Sequence, residues 1–156
     1  MTGRLPFKAT NDNSASDVIV VSFSAHWHAT LLNGSIRRVF RKRVPKSFEP
    51  KLMYIYVGSP HSEIIGRAEI KSIQLLDYDH AVALSESAHL TKEELIAYFG
   101  SYRMIGCYTI GNIELAKLPL SLAKLHEQSG FHPPQSFVRA SLGASRWLET
   151  KNWKKR

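Results

Sequence analysis

The sequence predicts a single α+β domain, a small β-barrel or curled sheet carrying short peripheral helices. Runs of β-branched and aromatic residues of strand length recur along the chain, among them Val18–Phe23 and Leu52–Val57, and Gly58-Ser59-Pro60 breaks the second. Helical spacing of apolar residues never lasts beyond two or three turns. The 156 residues, 44% apolar and 22% charged, suffice for one well-buried core but would leave two cores each too small.

The elements follow in chain order. Residues 1–16, with Pro6 and scattered Asn, Ser and Thr, suit a mobile N-terminal arm, and structure is expected from Asp17. After the Val18–Phe23 strand, Ser24 stands where an N-cap opens a short helix through Leu32, closed by Asn33-Gly34. Ile36–Arg43 is extended, Pro45 to Pro50 is a loop, and Leu52–Val57 is the next strand. Ile64–Ile73 alternates after Gly66, as a strand with one wet face does, and the glycine marks a bulge or a close backbone approach. A weak helix is expected over Asp79–Ser87. A better one is opened by the Thr91/Glu94 capping box and stopped by Gly100. Met104–Leu115 has strand character, Pro119–Gln128 holds leucines at helical spacing before Gly130, and Pro133-Pro134 forces an extended segment. Ser141–Trp153 suits a terminal helix, so the domain proper spans 17–140 and a basic helix or tail spans 141–156.

Lys and Arg total 21 against 13 Asp and Glu, a formal charge of +8 with a sequence pI of about 9.7. Such an excess favours anionic partners, nucleic acid before a lipid surface. No apolar run approaches the roughly 18 residues of a membrane span, and Met1–Ser16 has no apolar core of a signal peptide. No membrane association is expected. The single cysteine, Cys107, excludes an intramolecular disulfide and a thiolate metal cluster, fits a reducing cytoplasm, and is expected to be buried and inert.

Six segments, in order, give the chain a familiar outline. They are Asn33-Gly34 through Pro45, Tyr54-Ile55-Tyr56-Val57-Gly58-Ser59-Pro60, Ile64–Ile70, Glu94–Phe99 with Leu118–Leu122, and Pro133-Pro134-Gln135-Ser136-Phe137. Over residues 18–140 this order resembles the ASCH family, a branch of the PUA-like β-barrels related to RNA-binding modules. The resemblance implies a PUA-like barrel with a cleft at Tyr56 and Ser136. Some ASCH proteins are amidohydrolases of acylated nucleosides that use a Lys and a Thr on the strand after the first helix. Here those positions fall on Ile36 and Arg37, and the strand's Glu falls on Val39, so that catalytic equipment is missing.

Between Arg37 and Lys51 lie seven basic residues, Arg37, Arg38, Arg41, Lys42, Arg43, Lys46 and Lys51, against Glu49 alone. On a strand, Arg37, Val39, Arg41 and Arg43 share one face and Arg38, Phe40 and Lys42 the other. The bland alternative is a solvated basic edge that discourages strand aggregation. The expected function is binding of RNA or a modified nucleotide, by a chain that is a monomer and needs no cofactor. Arg37, Arg38, Arg41, Lys42 and Arg43 supply charge, while Tyr56, Ser59, Gln135 and Ser136 line a small pocket. Trp27, Phe40 and Tyr54 are assigned to the core. A small hydrolase or ribonuclease in the same cleft, with Lys42, Tyr56 or Ser136 assisting, is the alternative, and a protein-interaction domain is the third. His26 and His28, at i and i+2, lack a third ligand with convincing spacing, so no metal site is expected. The C-terminal lysines with Trp147 and Trp153 suit either a docked helix, favoured for Trp147, or a second nucleic-acid contact.

Overall fold

A computed structural model describes residues 14–155. The elements are β1 (Ala15–Phe23), a 3-10 turn (Ala25–Trp27), α1 (His28–Asn33), β2 (Arg38–Arg41), β3 (Leu52–Val57), β4 (Glu63–Asp77) and α2 (Tyr78–Ala83). A second 3-10 turn (Ser85–Ala88), α3 (Lys92–Phe99), β5 (Met104–Ile110), β6 (Glu114–Ser121), α4 (Leu122–Ser129), β7 (Phe137–Ser141), α5 (Leu142–Glu149) and β8 (Trp153–Lys155) follow.

The eight strands form one mixed sheet in the order β2-β5-β4-β3-β1-β7, with β6 beside the N-terminal half of β4 and β8 beyond β6. β1 and β3 run parallel and the other pairs are antiparallel. Among the described residues no ladder joins β2 to β1 or β7, so the sheet is open where a closed barrel was expected. The reason is local. β2 is four residues long, and what reaches β1 from its free side is a side chain, the Arg41 guanidinium donating to the Ser22 carbonyl at 2.9 Å.

The fifteen residues of β4 make it the spine. Glu63–Glu69 pairs with β3 on one edge and the C-terminal half pairs with β5. Within the stretch paired with β3 the register slips at Ile65, opposite the Ile55/Tyr56 step of β3. Gly66 sits at that slip because a Cβ there would stand 2.9 Å from the Glu114 carbonyl of β6, the close approach its position in the sequence suggested. Beyond it Arg67, Glu69 and Lys71 point outward while Ala68 and Ile70 are buried, as the alternation required.

Three apolar clusters explain which strands are continuous apolar runs. Ile19, Val21 and Phe23 meet Met53, Ile55 and Val57 in the largest cluster, while Val20, Tyr54 and Tyr56 on the opposite faces pack under α4 and α5. Phe40, Ile105 and Cys107 pack under α2 and α3. Strands buried on both faces cannot alternate, hence Val18–Phe23 and Leu52–Val57 read as unbroken apolar stretches.

Several boundaries move from their expected positions. Residues 1–13 of the expected arm lie outside the described residues, but β1 already starts at Ala15, where Ser16 is buried and its hydroxyl donates to the Ala140 carbonyl at 2.8 Å. The helix expected from Pro119 starts at Leu122, because Ser121 is the N-cap that accepts from the Lys124 N–H and Pro119 still lies in β6. The terminal helix stops at Glu149, and Trp153 is carried by β8 instead, half-buried, with its indole N–H donating to the Leu148 carbonyl at 3.1 Å. Both Trp147 and Trp153 therefore dock.

Candidate functional site

β2 separates the largest apolar cluster from the helical layer, and its start and end project arginines to either side of a cleft of about 310 Å³. Phe23 at the end of β1, Trp27 of the 3-10 turn and Tyr98 of α3 form aromatic walls, and Arg38 and Arg41 bring the charge. Ile36 also lines the cleft, and it is 2% exposed.

The local sequence fixes these walls. Gly34, at φ +79°, ends α1 in the left-handed conformation and turns the chain into β2. Thr91 accepts from the Glu94 N–H at 3.0 Å while the Glu94 carboxylate accepts from the Thr91 N–H at 2.8 Å, so the capping box aims α3 and its Tyr98 at β2. The Tyr98 hydroxyl accepts from the Lys42 N–H at 3.1 Å.

Arg41 is the electrostatic centre. Its guanidinium donates to the Phe40 carbonyl at 2.8 Å and to the Ser22 carbonyl at 2.9 Å, and lies 4.5 Å from the Phe23 ring centroid. Burial pushes its pKa down, with Tyr98 and Tyr108 opposing, yet a guanidinium stays charged in proteins. Arg38 donates to the Ser87 hydroxyl at 3.1 Å. Among the described residues neither arginine has a carboxylate partner, and Glu94, on the cleft rim, is committed to its cap. The hydroxyls of Ser22 and Tyr108 are also buried without partners. Desolvating a cation beside carbonyl dipoles alone is costly unless an anion completes the site.

The other expected site residues are dispersed. Arg37 turns away, donating to the Gly34 and Ile36 carbonyls at 2.6 and 3.0 Å and to the Asn112 side chain at 2.8 Å, where it braces the end of α1. Lys42 lies over the rings of Tyr98 and Tyr102 at 5.1 and 5.2 Å, outside the cleft lining. Arg43 is exposed, and its carbonyl accepts from the Ser136 hydroxyl at 2.9 Å. Tyr56 belongs to the second cluster, 3% exposed and 5.5 Å from the Phe131 ring, because even-numbered β3 residues face α4 and α5. Ser59 sits in the exposed β3–β4 loop and Gln135 is exposed before β7, so neither joins Ser136 in a pocket with Tyr56. The contacts of the three residues expected to assist catalysis differ: Lys42 lies over Tyr98 and Tyr102, Tyr56 packs in the second cluster, and Ser136 donates to the Arg43 carbonyl.

Sequence reasoning missed Tyr98, weighed His26 only as a metal ligand and left Trp27 in the core, although all three line the cleft. Trp27 follows directly from the turn after β1. Tyr98 lies 57 positions beyond Arg41, inside an apolar helix cluster, and carries no local mark of a site.

No family model matches the chain, and no curated protein matches it. Solved structures do. A crystal structure of ASCH from Zymomonas mobilis aligns with a TM-score of 0.77 at 20% identity, covering 87% of this chain and 96% of that one. The chain has an ASCH-like fold. Crystal structures of two single-substitution forms of the Z. mobilis ASCH protein, one serine to alanine and one tyrosine to phenylalanine, also align with TM-scores of 0.77 at 18% identity. They cover 90% and 88% of this chain, and 99% and 100% of their own. Within the ASCH-like fold the cleft lies between β2, the turn after β1 and α3.

Proposed function

We propose that this chain binds single-stranded RNA or a nucleotide in the cleft beside β2, holding phosphate on Arg41 and Arg38 and a base against Trp27 or Tyr98. The observation that carries this reading is Arg41, a desolvated guanidinium with only carbonyl and ring partners, facing an aromatic-walled cleft. The ASCH-like fold and the +8 charge are compatible with it. Binding is favoured over hydrolysis because the residues expected to assist catalysis make separate contacts, with Tyr56 in a different apolar cluster.

The test is incubation of the purified protein with labelled single-stranded RNA, with and without a divalent metal, following retention and cleavage together across a salt series. Retention should fall steeply with ionic strength, at a slope of roughly −0.7 per neutralised phosphate. Replacing Arg38 and Arg41 together by alanine should flatten that slope by about 1.4. Retention indifferent to salt would favour a protein-interaction domain, and cleavage would favour a ribonuclease.

A further inference from the structure

The geometry points to a divalent transition-metal site of the zinc class formed by His28, His61 and Glu63. His28 is the first residue of α1, His61 lies in the β3–β4 loop, and Glu63 opens β4. Two segments, the start of α1 and the stretch from His61 to Glu63, thus meet beyond the C-terminal ends of the parallel pair β1 and β3. The loop is tied there by the Gly58 N–H, which donates to the Phe23 carbonyl at 2.9 Å, and by the His61 and Ser62 N–H groups, which donate to the Gly58 carbonyl at 3.1 and 3.3 Å.

One ligand atom from each of the three side chains lies within 4.8 Å of the other two, and all three residues are half-buried. The imidazoles of His28 and His61 stack with centroids 3.7 Å apart and planes at 7°. Among the described residues no hydrogen bond or ion pair engages any of the three side chains. A tetrahedral ion with bonds of about 2.0–2.1 Å holds its donors a little over 3 Å apart, so binding requires the stacked rings to turn until their nitrogen lone pairs converge on the ion.

Two imidazole nitrogens and one carboxylate form a borderline donor set that suits Zn²⁺ and its neighbours rather than Mg²⁺ or Ca²⁺, which prefer all-oxygen shells. Three protein ligands on a half-exposed surface leave the fourth position to water. Other histidine pairs lack this arrangement: His126 and His132 meet edge to face at 4.8 Å with no carboxylate in the group, and His80 has only Asp77.

The probe is Co²⁺, whose visible absorption strengthens in tetrahedral sites, titrated into the chelator-treated full chain, followed by Zn²⁺ as competitor. One Co²⁺ per chain should bind and be displaced by Zn²⁺. His28→Gln, His61→Gln and Glu63→Gln should each weaken Co²⁺ by at least about tenfold, the cost of disturbing even an outer partner of a metal ligand. Glu63→Gln preserves shape and guards against a loss caused by unfolding, which circular dichroism checks for each variant. His126→Gln and His132→Gln should bind as the parent does. A cobalt spectrum indistinguishable from buffer, or parental affinity in folded His61→Gln, would overturn the site.

Discussion

Arg41 combines two carbonyl acceptors and a ring face in a way that only a planar fork can reproduce. A lysine there keeps the charge but is a point donor that cannot address the Phe40 and Ser22 carbonyls together while stacking on Phe23. Arg41→Lys should therefore bind single-stranded RNA more weakly than the parent, by roughly tenfold for about 1.4 kcal/mol lost, as read by fluorescence anisotropy. Parental affinity in Arg41→Lys would mean that charge alone suffices. Cys107, beneath Phe40 in the helical-side cluster, illustrates the opposite use of burial. Burial pushes its thiol up to about 11, with Arg38 opposing. At pH 8 about one thiol in a thousand is ionised on that value. Cys107 should thus react with a thiol reagent only as the protein unfolds, and rapid labelling of the native chain would refute it. Its burial was legible from one cysteine in an apolar strand. The role of Arg41 was not, since strand alternation alone placed it with Arg37 on one face, whereas Arg37 is consumed in bracing α1.

At the scale of elements, the cap of α2 carries the pH dependence. Asp77 accepts from the His80 N–H at 3.0 Å and from its imidazole at 2.7 Å. The backbone hydrogen bond first, and the side-chain bond second, hold the Asp77 carboxyl below its ordinary value, while the same side-chain bond raises the His80 imidazole. The Asp77 contribution is present above the ordinary carboxylate value of about 4 and is lost as pH falls through the lowered one. The His80 contribution is complete below about 6.5 and is lost as pH rises through the raised one. The cap is strongest between these limits. In an NMR titration His80 should turn over above free histidine in the parent and near it in Asp77→Asn; no difference between the two would sink the pairing. Elements with such signals were legible in the sequence, as the Thr91/Glu94 box and the Gly34 and Gly130 stops show. Where two signals competed the sequence misled: Pro119 suggests a helix start, but pairing with β4 keeps the chain extended up to Ser121.

At the scale of the whole molecule, the sheet is covered on both sides, and its outer cover comes from the C-terminal residues. Trp147 and Leu148 of α5 lie against Val20, Tyr54 and Ile64, and Lys151 lies 4.5 Å above the Trp147 ring. Trp147→Ala should cost about 3–5 kcal/mol, a large part of the roughly 5–15 kcal/mol that holds an ordinary domain. Chemical denaturation reads this directly, and a loss under 1 kcal/mol would show that α5 is a detachable tail. The open edge of the sheet was not legible, because closure depends on the length of β2 and on which of its edges finds a backbone partner. Nor was the His28, His61 and Glu63 group: His61 and Glu63 stand two apart in the sequence, but His28 is brought to them only through the parallel pairing of β1 and β3.

That same arrangement sets when the molecule can exist. β1 is hydrogen-bonded to β3 on one side and to β7, more than a hundred residues later, on the other. A ribosome delivering this chain presents β1 with an unsatisfied edge until residues 137–141 emerge. Such distant pairing is slow to find, on the order of milliseconds to seconds for sheets dominated by non-local contacts. In that interval the apolar run Val18–Phe23 stands open to any strand nearby, and chaperone demand should be greatest before α5 is made.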